Sequence, residues 1–259
     1  MAHWLRFEHG GKAGFGTLQG DTISVHRGDM FDSPVPTGET LAFGDVKLLT
    51  PTVPTKMLAL WNNFRALATK LNAAIPVEPL YLLKAANSFL ASNEVIRQPA
   101  SFDGKVVFEG ELGIVIGCRC KAVSEADAAR YIFGYTCIND VTAAEIINRD
   151  ASFAQWVRAK SYDTFGVFGP VVATGLDPMT LSVKTVLNGQ ERQNYPASDM
   201  IIPPLRLVSM ISQDMTLMAG DVICCGTSVG VGSMKPGSTI EVTIDGVGTL
   251  SNRYESLQP

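Results

Sequence analysis

Two glutamates, Glu109 and Glu111, lie two positions apart in an apolar stretch and constrain this chain more than any other feature. Residues 106–116 read Val-Val-Phe-Glu-Gly-Glu-Leu-Gly-Ile-Val-Ile, a run rich in β-branched residues that predicts a strand. Side chains two apart in a strand share one face, so the two carboxylates are expected roughly 6.5–7 Å apart. Such a pair repels and costs desolvation energy unless a positive charge lies between its members. The alternative is the solvated face of an edge strand, where alternating glutamates are common.

A third carboxylate, Asp140, follows a second strand-like run, residues 131–138. Apolar residues surround all three acidic positions, which favours a buried site over a solvated edge. Three carboxylate ligands suit Mg²⁺, Mn²⁺ or Ca²⁺, which prefer oxygen, whereas zinc prefers nitrogen and sulfur. The sequence therefore predicts a divalent-metal site formed by Glu109, Glu111 and Asp140.

Composition and charge exclude several classes of function. The chain has 259 residues, enough for one large domain or two unequal ones, and only 18% of them are charged. Because an average globular protein has roughly 25% charged residues, this favours a well-packed enzyme or an oligomer. The net charge of −4 provides no basic patch, so nucleic acid is not an expected partner. No apolar run is long enough to span a membrane and the amino terminus is no signal peptide, so we expect a cytoplasmic protein without a membrane partner.

The cysteines and histidines offer no zinc site. The five cysteines lie in apolar, strand-like runs without a Cys-x-x-Cys pair, and their odd number does not support a disulfide framework. They are predicted to be buried free thiols: Cys118, Cys120, Cys137, Cys224 and Cys225. The three histidines, His3, His9 and His26, all lie within the first 26 residues.

The chain divides into a small β module, residues 1–50, and a main domain, residues 51–259. A proline-rich stretch at 49–55 connects the two parts. Helices are predicted over residues 65–74 and from the cap Ser124 to residue 131. Strands and turns dominate elsewhere, and the expected class is mostly β (α+β). The predicted strands include residues 4–7, 13–18, 22–25, 80–84, 167–173, 181–187, 221–225 and 239–244, with hairpin turns at Asn188-Gly189 and Asp245-Gly246.

Several stretches match a known family in order and spacing: 108–117, 134–141, 160–165 with Gly169-Pro170, 187–189 with Arg192-Gln193, and 217–232. Together they resemble the fumarylacetoacetate hydrolase family, in particular its small single-chain bacterial type. The resemblance covers about residues 50 to 255, and the first fifty residues also look like the family's amino-terminal module. It implies a mixed β-roll catalytic domain, a homodimer, and one Mg²⁺ or Mn²⁺ ion held by Glu109, Glu111 and Asp140.

The resemblance also implies a substrate class and further site residues. Family substrates are small 2-oxo or β-diketo acids, and members hydrolyse carbon–carbon bonds, decarboxylate, or isomerise enol acids. Lys160 resembles the active-site lysine and would add positive charge near an enolate. Four more residues resemble substrate-binding positions: Arg65, suited to pair with a substrate carboxylate, Lys84 near the metal, Gln193 in the pocket lining, and Thr227 in a glycine-rich turn suited to hold an anion.

Several positions depart from the family pattern. Leu67 and Lys70 stand where hydrolytic relatives typically have histidine and glutamate, and Ala144 and Ile147 where arginine and glutamine are frequent. A hydrolase needs a base beside the attacking water, and the main domain contains no histidine. Three carboxylates are possible substitutes: Glu145, Asp150 and Glu78.

These observations predict an enzyme that cleaves a carbon–carbon bond in a small 2-oxo or β-diketo acid through a metal-stabilised enolate. It would be an acylpyruvate-type hydrolase or, since loss of CO₂ needs no activated water, an oxo-acid decarboxylase. The alternative is an isomerase or tautomerase of a 2-hydroxydienoate dicarboxylate in aromatic catabolism. A degenerate, ligand-binding member of the family is a third interpretation, against which the complete carboxylate cluster argues.

Overall fold

Strands form most of the regular structure, which confirms the predicted mostly β class. The computed structural model describes residues 1–256, so residues 257–259 of the predicted main domain lie outside the described residues. The strands are β1 (His3–His9), β2 (Lys12–Gln19), β3 (Thr22–Asp29), β4 (Asp32–Ala42), β5 (Lys47–Leu48), β6 (Met57–Trp61), β7 (Leu80–Lys84), β8 (Phe89–Leu90), β9 (Val95–Arg97), β10 (Val106–Phe108), β11 (Gly110–Ile116), β12 (Ile132–Asp140), β13 (Thr142–Ala143), β14 (Gly166–Ala173), β15 (Ser182–Leu187), β16 (Gln190–Pro196), β17 (Val222–Cys224), β18 (Gly232–Ser233), β19 (Ser238–Ile244) and β20 (Gly248–Glu255).

The helices are few and short. The α-helices are α1 (Arg65–Leu71), α2 (Ala144–Ile147), α3 (Trp156–Lys160) and α4 (Pro204–Asp214). Single 3₁₀ turns cover Phe43–Asp45, Ala86–Ser88, Ala128–Tyr131, Pro178–Thr180 and Ala197–Asp199. Across residues 1–256, no helix is both long and apolar enough to cross a membrane.

The largest sheet places the carboxylates at its centre. Its strand order is β4-β3-β2-β1-β14-β12-β11-β17-β6-β7, with β5 on β1 and β8 on β14. β11 is buried throughout, and β12 is buried over its last seven residues, as expected for central strands covered on both faces. A five-stranded sheet, β16-β15-β19-β20-β9, contacts these strands, and a small sheet, β13-β10-β18, completes the architecture.

The first fifty residues form β1 to β5, in agreement with the short strands predicted there. β1 pairs with β14 through His3 opposite Ala173 and Trp4 opposite Val172, so the large sheet continues across the predicted boundary at residue 50. Trp4 also packs against Phe133 at a ring-centroid distance of 6.1 Å. The division into residues 1–50 and 51–259 stays a prediction.

The predicted strand over residues 106–116 is in fact two strands. β10 pairs with β13 and β18 in the small sheet, whereas β11 pairs with β12 and β17 in the large one. Glu109 lies at the break, where its N–H donates to the side-chain oxygen of Asn139 at 3.1 Å. The apolar pattern runs through unchanged because both segments are buried, so periodicity alone does not show the break.

Two predicted helices differ from the structure. The helix over residues 65–74 ends at Leu71 because Asn72 adopts a left-handed conformation, with φ 50°. From Ser124, the structure has turns and the 3₁₀ segment Ala128–Tyr131 instead of an α-helix. The Ser124 hydroxyl accepts from Asp127 N–H at 3.2 Å, and a local bond of this kind stabilises a turn as well as a helix start.

Other local predictions are confirmed, with one exception among the thiols. The Asn188-Gly189 hairpin has φ values of 51° and 75° at these residues, the conformation of a two-residue turn that requires positive φ. All five cysteines are free, but Cys118 is exposed while the other four are buried. Cys118 follows the end of β11 at Ile116, where the chain leaves the buried sheet.

Asp221 ties the proline-rich connector to the turn before β17. Its side chain is fully buried and pairs with Lys56 Nζ at 2.5 Å. It also accepts from the N–H groups of Thr55 and Lys56, at 2.9 Å and 3.0 Å, and from that of Met218 at 2.8 Å. Removing one partner of a buried, hydrogen-bonded ion pair leaves the remaining groups without compensation.

We therefore expect Asp221→Ala to lower the free energy of unfolding by about 3–5 kcal/mol, measured by urea denaturation. Asp127→Ala is the control, because Asp127 forms an exposed pair with Arg130 and such pairs contribute about 1 kcal/mol or less. A loss for Asp221→Ala no larger than that of the control would show that the connector is held by other contacts.

Candidate metal centre

Three carboxylates converge where β10, β11 and β12 meet. One oxygen from each of Glu109, Glu111 and Asp140 lies within 4.8 Å of the others. Glu111 and Asp140 are fully buried, whereas the Glu109 side chain is 16% exposed. β11 and β12 are antiparallel neighbours with Gly110 opposite Asn139, and this register brings the end of β12 beside the start of β11. The structure thus brings together the three residues predicted as metal ligands.

Two buried lysines contact this cluster. Lys160, the last residue of α3, lies with Nζ 2.5 Å from Asp140 Oδ2 and 3.0 Å from Glu109 Oε1. Lys84, the last residue of β7, donates to Asp140 Oδ1 and, at 3.4 Å, to the carbonyl of Val141. Both lysine side chains are almost completely buried. When all five groups are ionised, the three carboxylates and two ammonium groups have one negative charge in excess.

The buried charges shift one another's protonation. Burial raises the pKa of Glu111 well above its usual value, and the charges of Asp140 and Glu109 raise it further. Burial also acts to raise the pKa of Asp140, but the ammonium groups of Lys160 and Lys84 outweigh burial and hold that pKa below its usual value. For Lys160, burial opposes the charged form, yet the carboxylates of Asp140, Glu109 and Glu111 prevail and raise its pKa. Burial lowers the pKa of Lys84 despite the neighbouring Asp140.

Glu111 shows that the cluster suits a cation. Its Oε2 accepts from Gly226 N–H at 2.8 Å, while its Oε1 is buried and has no hydrogen-bond partner among the described residues. A buried carboxylate oxygen without a partner is costly. Together with the excess negative charge and the all-oxygen donor set, it fits a hard divalent ion such as Mg²⁺ or Mn²⁺.

Gln193 and Thr227, predicted to contact substrate, are buried beside the backbone of Gly110. Thr227 Oγ1 donates to the Gly110 carbonyl at 2.9 Å, and Gln193 Oε1 accepts from the Gly110 N–H at 3.0 Å. In the glycine-rich turn, the Gly226 N–H is already bonded to Glu111. Both side chains therefore lie next to the metal ligands rather than at the exposed edge of the cluster.

Arg65, also predicted as a site residue, lies outside the hydrogen-bonded group formed by the other predicted site residues. It is exposed at the start of α1, and within residues 1–256 it forms no hydrogen bond or ion pair with the three carboxylates. The same helix is tied to Asp199, which accepts from Ala66 N–H at 3.0 Å. Leu67, two residues further on, is half-buried and packs against the core.

The substitute bases considered from the sequence have contacts elsewhere. Glu145 Oε1 accepts from Lys105 N–H at 3.3 Å, and Asp150 accepts from Ser152. Both side chains are exposed, as is Glu78 in the loop before β7. Of the histidines, His3 is the first residue of β1, and its Nε2 lies 2.8 Å from the carbonyl oxygen of Gly246. None of these groups is hydrogen bonded to the carboxylate cluster.

Three residues of the site were missed from the sequence. Thr142 donates to Glu109 Oε1 at 2.6 Å and accepts from Lys160 Nζ at 2.8 Å. The side-chain oxygen of Asn139 accepts from the Glu109 N–H at 3.1 Å, and the Tyr195 hydroxyl donates to the Gly110 carbonyl at 2.5 Å. Thr142 could have been found from the sequence, because it lies two residues after the predicted metal ligand Asp140. The sequence evidence for Tyr195 was weaker: it lies on the same face of β16 as the predicted site residue Gln193.

The comparison with protein families agrees with this architecture. Residues 56–255 match the model of the fumarylacetoacetate (FAA) hydrolase C-terminal domain, and residues 2–51 match the Rv2993c-like N-terminal model. The chain therefore belongs to the fumarylacetoacetate hydrolase family, as the resemblance predicted.

Relatives of this chain catalyse different reactions. Oxaloacetate tautomerase YisK of Bacillus subtilis is 34% identical over 226 residues, which cover 82% of this chain and 74% of that protein. The structure of 2-hydroxyhepta-2,4-diene-1,7-dioate isomerase from Mycobacterium marinum matches with a TM-score of 0.91 at 35% identity, covering 100% of both chains. Maleylpyruvate hydrolase from Sphingobium sp. SYK-6, in complex with manganese(II) ion and pyruvate, matches with a TM-score of 0.80 at 25% identity, covering 99% of this chain and 100% of that one.

Proposed function

We propose that this protein is a divalent-metal-dependent enzyme that interconverts keto and enol forms of a small 2-oxo acid, as a tautomerase or isomerase. The observation that supports enolate chemistry, on which the proposal rests, is the position of Lys160. Its buried ammonium group lies 3.0 Å from Glu109, the one carboxylate of the three that is partly exposed. A substrate oxygen that approaches Glu109 would therefore meet a fixed positive charge, which stabilises an enolate.

In this proposal each residue of the cluster has its own role in metal binding, charge balance or orientation. Glu109, Glu111 and Asp140 would hold Mg²⁺ or Mn²⁺, and the bound ion would supply Lewis-acid stabilisation of negative charge on the substrate. Lys84 balances the charge of Asp140 from the buried side. Thr142 orients Glu109 through its hydroxyl group, which also accepts from Lys160. Lys160 Nζ already donates to Glu109, Asp140 and Thr142, which uses its three N–H groups, so it would act on a substrate oxygen through its positive charge.

Keto–enol conversion is proposed ahead of hydrolysis because hydrolysis requires a base beside an activated water. The side chains considered as such bases, Glu145 and Asp150, are exposed and bonded to Lys105 and Ser152. Keto–enol conversion needs no activated water, although the proton that leaves carbon must be taken up by a base, which can be solvent water. The tautomerase and the isomerase are 34% and 35% identical to this chain and the maleylpyruvate hydrolase 25%, while a putative hydrolase of Burkholderia orbicola is also 34% identical.

Carbon–carbon bond cleavage, the function first predicted from the sequence, is the second candidate. Decarboxylation of a 2-oxo acid passes through the same enolate, and the Lys160 ammonium group would stabilise it in the same way. Hydrolysis of an acylpyruvate would in addition require a base beside the attacking water. The hydrolase form therefore depends on a residue that the site geometry does not identify.

The homodimer is a further proposal, taken from the family resemblance. β7 lies at one edge of the large sheet, and Trp61, Leu80 and Val157 nearby are exposed apolar residues that such an assembly would cover. Sedimentation velocity on the purified chain tests it, and a monomer at micromolar concentration would contradict it.

A panel of four substrates tests the reaction: oxaloacetate, acetylpyruvate, maleylpyruvate and fumarylpyruvate. Each is followed with Mn²⁺ or Mg²⁺, and with EDTA, for enol absorbance, released CO₂ and cleaved acid. We expect a metal-dependent change of enol absorbance without CO₂ or cleaved acid. The no-enzyme reaction with metal is the control, because 2-oxo acids also react slowly with the free ion.

The other outcomes are equally specific. Metal-dependent CO₂ from oxaloacetate would establish the decarboxylase. Cleaved acid from an acylpyruvate would establish the hydrolase and require a base to be found. Binding of Mn²⁺ without turnover of any of the four would contradict an enzymatic role on these substrates and favour the ligand-binding interpretation.

A further inference from the structure

Gly110 lies between the two glutamates of the candidate metal centre, with its N–H in the peptide bond to Glu109 and its carbonyl in the peptide bond to Glu111. Strand pairing changes here, because β10 belongs to the small sheet and β11, which begins at Gly110, to the large one. The Glu109 carbonyl accepts from Asp140 N–H at 2.9 Å, whereas the N–H and the carbonyl of Gly110 must find other partners. Rotation of either peptide would move the carboxylates of Glu109 and Glu111 relative to each other.

Three buried side chains from elsewhere in the chain hold the backbone of Gly110, and we call them the Gly110 network: Tyr195, Thr227 and Gln193. Tyr195 Oη and Thr227 Oγ1 both donate to the Gly110 carbonyl, at 2.5 Å and 2.9 Å. Gln193 Oε1 accepts from the Gly110 N–H at 3.0 Å. Gln193 Nε2 donates to Thr227 Oγ1 at 2.8 Å, which links the contacts on the two peptides that flank Gly110.

The five-stranded sheet approaches Gly110 too closely for any side chain there. A Cβ atom at this position would lie 2.0 Å from Thr185 Oγ1, on β15, and 3.2 Å from Gln193 Oε1, on β16. Glycine is therefore required by close approach of another sheet rather than by an unusual φ. Through this contact the second sheet directly supports the backbone that carries two of the metal ligands.

We propose that Tyr195, Thr227 and Gln193 are positioning residues that hold Glu109 and Glu111 in the geometry required by a small divalent ion. The inference rests on the proposed function. Mg²⁺ demands near-ideal octahedral geometry at about 2.0–2.1 Å, so small displacements of a ligand weaken binding. Residues that orient metal ligands typically change metal affinity by about 10–100-fold when they are replaced. In this proposal Gln193 and Thr227 act through the ligands, as an alternative to the substrate contact predicted from the sequence.

Two conservative variants test the inference. Tyr195→Phe and Thr227→Val each remove one hydroxyl donor to the Gly110 carbonyl and nearly keep the shape of the side chain. We expect the Mn²⁺ affinity, measured by calorimetry without substrate, to fall about tenfold in each and up to about 100-fold in the double variant. The electron paramagnetic resonance spectrum of bound Mn²⁺ should change as well. At saturating Mn²⁺, KM for the 2-oxo acid should stay near the wild-type value.

Matched controls separate positioning from general stability. Tyr254→Phe and Thr52→Val remove hydroxyl groups of buried residues that bond to Gln98 and Gly220 instead of Gly110. We expect these variants to bind Mn²⁺ like the wild type, even where they lower the melting temperature. If Thr227→Val does not fold, Tyr195→Phe suffices, because it leaves the Thr227 bond in place.

Specific results would overturn the inference. Mn²⁺ affinity in the Gly110-network variants equal to that of the controls would do so, as would a raised KM at unchanged Mn²⁺ affinity, which is the result expected for substrate contact. A wild-type protein that binds Mn²⁺ but converts no 2-oxo acid would contradict the proposed reaction alone. A wild-type protein that binds no Mn²⁺ would overturn both.

Discussion

Replacement of Asp140 by alanine is expected to abolish turnover and metal-dependent stabilisation together, and also to destabilise the metal-free protein. Asp140 is fully buried and pairs with both Lys84 and Lys160. Without it, Lys160 keeps Glu109 as a partner, whereas Lys84 keeps only the Val141 carbonyl at 3.4 Å. Loss of one member of a buried ion pair costs about 3–5 kcal/mol. Turnover, Mn²⁺-dependent melting and urea denaturation without metal measure the three effects.

Glu109→Gln is the comparison for Asp140→Ala. The Glu109 side chain is 16% exposed and Lys160 retains Asp140 in this variant, so metal binding should fail with a smaller loss of stability. Unchanged turnover in Asp140→Ala would refute the metal assignment. Equal destabilisation in both variants would instead refute the role of Asp140 as the main partner of the two lysines.

Lys160→Met is expected to lower turnover by about 10²–10³-fold while Mn²⁺ still binds. The ammonium group lies 3.0 Å from the partly exposed carboxylate Glu109, and loss of one preorganised group that stabilises a developing oxyanion typically costs about 10²–10³-fold. Removing a positive charge from beside the carboxylates also strengthens their attraction for a cation. We therefore expect Mn²⁺ affinity to be unchanged or higher, measured by calorimetry beside the turnover assay.

Lys12→Met is the control for Lys160→Met, because Lys12 is exposed at the start of β2. Its turnover should stay within about twofold of the wild type, as expected for a surface substitution. Turnover of Lys160→Met at the level of this control would remove Lys160 from the mechanism. Loss of Mn²⁺ binding in Lys160→Met would mean that the lysine holds the ligands in place rather than the substrate.

Membership of this family does not by itself select a reaction, because function resides in the site and not in the fold. An isomerase, a tautomerase and a hydrolase all match this chain. All three reactions begin beside the carbonyl of the substrate. Hydrolysis differs from the other two reactions in that it needs a base beside an attacking water, and for this chain the substrate panel decides between them.

The metal ligands could be predicted because their signal is local. Glu109 and Glu111 are carboxylates within a buried apolar run, and Asp140 ends another. A buried carboxylate requires a compensating charge, so the pattern indicates a cation wherever the chain folds. The break between β10 and β11 carried no comparable signal, since the residues on both sides are equally apolar.

The sequence by itself predicted the strand content, the family and the three carboxylates as metal ligands, because each depends on short-range patterns of polarity and spacing. Only the tertiary structure decided what those residues contact. Lys84 reaches Asp140 across 56 positions, and Tyr195 reaches Gly110 across 85. Such contacts depend on sheet order and register, which bring together segments whose local patterns do not refer to each other. The particular contacts of Lys84 with Asp140, and of Gln193, Thr227 and Tyr195 with Gly110, therefore emerge only from the packed fold.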